Sequence, residues 1–288
     1  MTKPELLASY WTIAGGAQPH TDRDWSPFDF QSRVESAARA GFKGIGLWHS
    51  DVAHILEQRT LKEMKRILEA NGIRHLELEF LDGWFKHGEA KAQSDLRKRR
   101  LLEAAEALGA RHIKVGDFEH APWPMAELID AFGSLCREAQ VRGTRIAFEL
   151  MPHSVIGSLD EALTLVKGAA APNGGIMIDL WHMVKLGIPF ERIAAIPPQY
   201  LLGVELNDGY LKSDWDIVTE TTCHRKLCGQ GEFDVQGFVD AMRASPYRGP
   251  YGVEVLSTEL RQWPLERLTR EAFESTMRFF EGAERRAS

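Results

Sequence analysis

A chain of 288 residues, 44% of them hydrophobic, is long enough to bury a large core, and barrels of this size commonly form one domain, here residues 1–288. A net charge of −6 and a pI near 6.0 leave no basic stripe to neutralise phosphates, which argues against nucleic acid and for a small-molecule partner. The start MTKPELLASYW lacks the pattern of a secretory leader, and no segment is apolar for the length of a membrane span. Three cysteines, Cys136, Cys223 and Cys228, lack zinc-ribbon spacing and read as reduced thiols, so a soluble, cytoplasmic protein with no membrane contact is expected.

From the N-terminus onward, short apolar runs alternate with stretches of helical spacing. LLASYWTI (6–13) reads as the first strand and leads to the helix FQSRVESAARAG. KGIGLW (43–48) leads to LKEMKRILEANG, RHLELEF (74–80) to SDLRKRRLLEAAEALGA, and HIKVG (112–116) to MAELIDAFGSLCREAQVRG. RIAFELM (145–151) precedes SLDEALTLVKGAA, and GIMIDLW (175–181) precedes FERIAAI. LLGVELN (201–207) precedes FDVQGFVDAMRAS, and YGVEVLS (251–257) precedes LERLTREAFESTMRFFEG. The strands suit burial on both faces, and Gly or Asn marks several helix ends. Eight strand-then-helix units predict an α/β fold, a single closed (β/α)8 TIM barrel. The one long connection, residues 209–231, is expected as a structureless loop over the site.

In such a barrel the chemistry belongs at the C-terminal ends of the strands. Four consecutive strands carry a carboxylate there: Glu149 in IAFELMP, Asp179 in IMIDLWH, Glu205 in GVELND and Glu254 in YGVEVLS. Two ionised carboxylates roughly 4 Å apart repel by about 4 kcal/mol at an effective dielectric near 20, so the cluster calls for protons or a cation. An all-oxygen set favours a hard divalent ion, Mn2+ or Mg2+, over zinc. The competing reading pairs some of these acids with nearby Arg or Lys. His49, Glu79, Lys114, His153 and Asp208 are further polar residues at strand ends, for pocket lining or for hydrogen bonds within the barrel.

The order E…DxxH…ExND…E on strands five to eight resembles the xylose isomerase-like sugar isomerase and epimerase superfamily. The resemblance implies that Glu149, Asp179, the strand-seven position and Glu254 hold one metal, and that Glu149 and Glu254 double as acid and base. It also implies that His182 of DxxH and Arg225 of HRKLCGQGEF hold substrate oxygens. The family commonly has His at strand seven, where this chain has Glu205, which puts Glu205's coordination in question. A metal that polarises a carbonyl lets a carboxylate remove a neighbouring proton. The expected activity is therefore a metal-dependent sugar isomerase or epimerase. A lyase or dehydratase acting by β-elimination on a keto-sugar, keto-glycoside or keto-cyclitol is the second reading, and a non-catalytic carbohydrate-binding barrel the third.

All eight tryptophans fall at a strand's C-terminal end or in the loop after it. This predicts an aromatic cleft for a ring-bearing, carbohydrate-like substrate, with Trp11, Trp48 and Trp181 among its binding residues. Loop packing or a homo-oligomer interface is the alternative use of the same rings.

Overall fold

The computed structural model describes residues 3–281 except 120. Eight parallel strands close into a barrel in sequence order: β1 (Leu6–Ala8), β2 (Gly44–Trp48), β3 (His75–Leu81), β4 (His112–Val115), β5 (Arg145–Glu149), β6 (Gly174–Asp179), β7 (Leu201–Leu206) and β8 (Tyr251–Val253). Closure is made by β8 against β1, with Leu6, Leu7 and Ala8 opposite Tyr251, Gly252 and Val253. The fold is thus the TIM barrel expected from the sequence. The ends of the expected domain, residues 1, 2 and 283–288, and Gly282 of the last expected helix lie outside the described residues. Among the described residues, no helix is long and apolar enough to cross a membrane.

The helices form where caps and apolar stripes coincide. Asp29 accepts from Ser32 N to start Phe30–Ala40, and Gly41, at φ 117°, ends it. Thr60 and Glu63 make a reciprocal capping box for Leu61–Ala70. Ser158 caps Leu159–Ala169. Their apolar faces cover the outward side chains of the strands, including Leu47, Leu78, Ile113, Phe148, Ile178 and Val204. Each fully buried Leu, Ile or Phe contributes about 1.5–3 kcal/mol, so this shell between sheet and helices carries the stability. Inside the barrel the apolar filling is much smaller, a plug of Ala147, Met177 and Leu202.

Two expected strands fall furthest short of their apolar runs. β1 stops at Ala8, and Tyr10–Ile13 forms a short helix whose first N–H, on Tyr10, donates to the Glu79 carboxylate at 3.2 Å. β8 stops at Val253 because the Thr12 hydroxyl intervenes, donating to Val253 O at 2.7 Å and accepting from Val255 N at 2.8 Å. Segment 209–231, expected to be structureless, contains the helix Ile217–Cys223. Asp216 caps it by accepting from Val218 N and Thr219 N. Two short bridges, Asp208 with Lys226 and His224 with Ser257, pin the segment to the barrel rim.

Candidate active site at the barrel rim

Alternation along each strand sends every second side chain into the barrel. The lower interior layer thereby receives Glu77 from β3 and His112 from β4. The layer above receives Glu79 from β3, Lys114 from β4, and the terminal residues Glu149 of β5 and Asp179 of β6. Glu205 of β7 and Glu254, just past β8, complete that upper layer. Room for two of the acids is made by glycine. A Cβ on Gly252 would stand 2.7 Å from Glu205 Cγ, and one on Gly46 would stand 2.8 Å from a Glu79 oxygen.

At the centre of this layer stands a cation from the protein itself. Lys114 Nζ lies 2.8 Å from Glu79 Oε2, 2.8 Å from Glu205 Oε1 and 2.9 Å from Glu254 Oε1. The ammonium is fully buried, and its three N–H donors match three carboxylates. Arg225 Nη1 holds the other side, 3.1 Å from both Asp179 Oδ2 and Glu254 Oε2. Pairing of some of the acids with Lys and Arg, the competing reading of the sequence, is therefore present for Asp179, Glu205 and Glu254 and absent for Glu149. The acids are nonetheless unequal. Both oxygens of Glu254 face cations, whereas among the described residues Glu149 has one polar partner, His182 Nε2 at 3.4 Å. Glu205 accepts from the Ser9 hydroxyl and from Lys114 through Oε1, and its buried Oε2 has no partner among the described residues.

Asp179 is the most heavily committed acid. It caps the helix Leu180–Lys185 by accepting from His182 N, and its other oxygen accepts from Asn207 Nδ2 at 2.6 Å as well as from Arg225. Arg225 is fixed in turn by Thr221, whose hydroxyl and carbonyl accept from the guanidinium. Trp181 lies against Arg225, with the guanidinium carbon 5.2 Å from its ring centre. Asp208 sets the following turn, accepting from Gly209 N, Phe233 N and Gly229 N, and so does not serve as a pocket group.

Burial pushes Glu149 and Glu79 up to about 7, with Lys114 opposing and Glu254 reinforcing the rise in each case. Burial also raises Glu205 well above the ordinary carboxylate range, with help from Glu254 and against Lys114. Burial would also raise Glu254, but Lys114 and Arg225 overcome it and hold the carboxyl below its ordinary value. Burial drives His182 down to about 4, so its imidazole is neutral near pH 7.

Five carboxylates thus surround two fixed cations. The donor set fits one hard divalent ion beside them. Glu149, Glu205 and Glu254 each offer an oxygen within 4.8 Å of the others, and Glu205 Oε2 is buried with nothing to bind. Asp179, expected among the ligands, is outside that trio and occupied by Arg225, Asn207 and the helix N-terminus.

A cavity of about 270 Å3 opens above the acids. Glu79, Glu149, Glu254, His182 and Arg225 form its polar floor. Trp11 and Trp48 form one wall with ring centres 4.9 Å apart, and Phe80, Phe118, His20 and His153 continue the aromatic surface. The sequence reading found three of these rings, Trp11, Trp48 and His153, and missed Phe80, Phe118 and His20, whose positions on β3, after β4 and after β1 were available as a signal. Trp181 does not reach the cavity. It is fully buried behind Arg225, so its role is to back the guanidinium. Other tryptophans serve loop packing: Trp25 stacks on His54, Trp215 on His224, and Trp84 sits among Phe85, Phe132 and Phe148. His49 lies off the cavity beside Trp48.

Residues 34–279 match the family described as xylose isomerase-like TIM barrel. A 3-dehydroshikimate dehydratase of Pseudomonas aeruginosa is 28% identical over 236 residues, covering 81% of this chain. The chain spans only 37% of that relative's length. Among solved structures, the IOLI protein with a bound zinc atom superposes with a TM-score of 0.83 at 17% identity, covering 96% of this chain and 98% of that one. A D-allulose 3-epimerase from Methylomonas sp. in complex with D-allulose superposes with a TM-score of 0.73 at 19% identity, covering 98% of each chain. At these identities the structural likeness establishes the shared fold.

Proposed function

Since the chain belongs to the xylose isomerase-like TIM barrel family, we propose that it removes a proton from the carbon next to a carbonyl in a small polyhydroxylated keto compound. The observation that carries this reading is the inequality of the rim acids. Among the described residues, Glu149 alone combines a place on the cavity wall with a carboxylate free of any ammonium or guanidinium contact. Glu254 lines the same cavity with both oxygens turned to Lys114 and Arg225.

Glu149 takes the proton from carbon. Arg225 and His182 bind substrate oxygens from the floor, with neutral His182 able to donate or accept. The aromatic wall orients the ring and keeps water out. Glu149, Glu205 and Glu254 would hold a divalent ion, Mn2+ or Mg2+ by their oxygen chemistry, which when bound supplies Lewis-acid polarisation of the carbonyl.

One free base suits elimination. The C–H electron pair becomes the new C=C bond as the β C–O bond breaks, and Glu149 returns its proton to the departing hydroxide as water. The sequence relative named as a dehydratase supports that outcome. A same-face isomerisation also needs one base and is the second reading. Epimerisation through two opposed acids would need Glu254 freed from its two cations. The deciding experiment incubates the Mn2+-loaded protein with keto sugars, keto-cyclitols and 3-dehydroshikimate and identifies products by mass and NMR. A product lighter by one water is expected. An isomer of unchanged mass would establish the second reading, and binding without any turnover would overturn both in favour of a carbohydrate-binding barrel.

A further inference from the structure

Lys114 has no part in the proton transfer just described and does not line the cavity, yet it is fully buried among three carboxylates. Its ammonium has three donors, and all three are taken at 2.8–2.9 Å by carboxylates on β3, β7 and just past β8, while Lys114 itself is on β4. Such an amine has no lone pair to offer a carbonyl carbon, so a covalent imine role is excluded by geometry. Oxygens converging from three strands on one positive centre are how a hard cation is held, at the longer distances that an N–H donor imposes. Two of these acids, Glu205 and Glu254, also belong to the trio able to hold a divalent ion. One set of carboxylates therefore has two cation positions, one of them filled by the chain itself.

We propose that Lys114 is a resident cation of the rim, and that it positions Glu205 and Glu254 so that the protein folds with its site formed before any metal binds. The inference rests on the reading that the rim takes a divalent ion. The claim about folding concerns the metal-free protein and needs no substrate.

Three consequences follow from charge balance. The metal-free wild type keeps its folded state under chelation and takes up one Mn2+ per chain. Lys114→Met keeps the length of the side chain but leaves Glu79, Glu205 and Glu254 buried without their common partner. Its metal-free melting temperature should fall by roughly 10 °C, the loss expected when one side of a buried ion-pair cluster is removed. Adding Glu205→Gln to Lys114→Met removes one of the stranded charges and should recover at least half of that fall.

The test is thermal unfolding of wild type, Lys114→Met and Lys114→Met/Glu205→Gln in EDTA and in Mn2+, with bound Mn2+ counted by elemental analysis. Expected are a large metal-free loss in the single variant, a greater rise on adding Mn2+ in that variant than in wild type, and recovery in the double variant. A single variant as stable as wild type in EDTA would overturn the proposal. So would a double variant no more stable than the single one, including the case in which both fail to fold, because the stranded charge would then not be the cause. If wild type takes up no Mn2+ while the EDTA series behaves as expected, the metal reading fails and the folding role of Lys114 stands.

Discussion

Replacing Arg225 should expose how the long loop and the acidic rim depend on each other. In Arg225→Met, Asp179 and Glu254 each lose a contact of 3.1 Å, and Thr221 loses its guanidinium partner. Two charge-assisted hydrogen bonds at about 1.5–3 kcal/mol each give roughly 3–6 kcal/mol, in line with the 3–5 kcal/mol typical of breaking a buried ion pair from one side. Arg225→Lys should lose an intermediate amount, since one point charge cannot span Asp179, Glu254 and Thr221 together. The loss should also depend on pH. Glu254 is held below its ordinary value, with burial opposed and outweighed by Lys114 and Arg225. It therefore contributes stability that is present above the ordinary carboxylate range and is lost as pH falls through its depressed folded value. Without Arg225 part of that contribution is gone, so variant and wild type should converge toward acid. Urea unfolding at pH 8 and at pH 3 measures both effects. A loss below about 1 kcal/mol at pH 8, or a lysine variant equal to wild type, would refute the reasoning.

Two further outcomes are expected away from that loop. Burial pushes Glu77 in the lower layer up to about 7, although Lys114 and Arg111 oppose the rise, and its Oε2 has no partner. Its contribution is therefore fully present below about 4.5 and is lost as pH rises to about 7, a change of roughly 3 kcal/mol. Glu77→Gln should flatten the stability curve across that window, and unfolding midpoints that fall in parallel with wild type would contradict it. In the cleft, Phe118→Ala removes a ring packed against Phe80, His153 and His20. Stacking worth about 0.5–1.5 kcal/mol translates to a KM raised roughly 2- to 12-fold with kcat nearly unchanged, read by steady-state kinetics.

The architecture was legible because barrel strands announce themselves locally. Runs such as GIMIDLW and LLGVELN are apolar on both faces, and each carries an acid, Asp179 or Glu205, near its C-terminal end. Where the reading overshot, a distant side chain had replaced the strand ladder: Glu79 captures Tyr10 N, and Thr12 captures Val255 N. The helix Ile217–Cys223 was hidden in a segment dense in polar residues, although Asp216 is an ordinary cap for it. Lys114 was noted as a polar strand end, but its role depends on partners 35, 91 and 140 residues away, set by barrel closure and side-chain reach. The same holds for the inequality of Glu149 and Glu254. Both read alike in sequence, and only their cation contacts separate them.

The most direct measurement follows deuterium placed on the substrate carbon next to the carbonyl, by NMR, with Mn2+-loaded wild type and Glu149→Gln. Wild type should release the label to solvent at the rate of turnover, and Glu149→Gln should slow that release by about 10²–10⁴-fold while remaining folded. Release at the wild-type rate in Glu149→Gln, or turnover in wild type with the label still on its original carbon, would contradict Glu149 as the base.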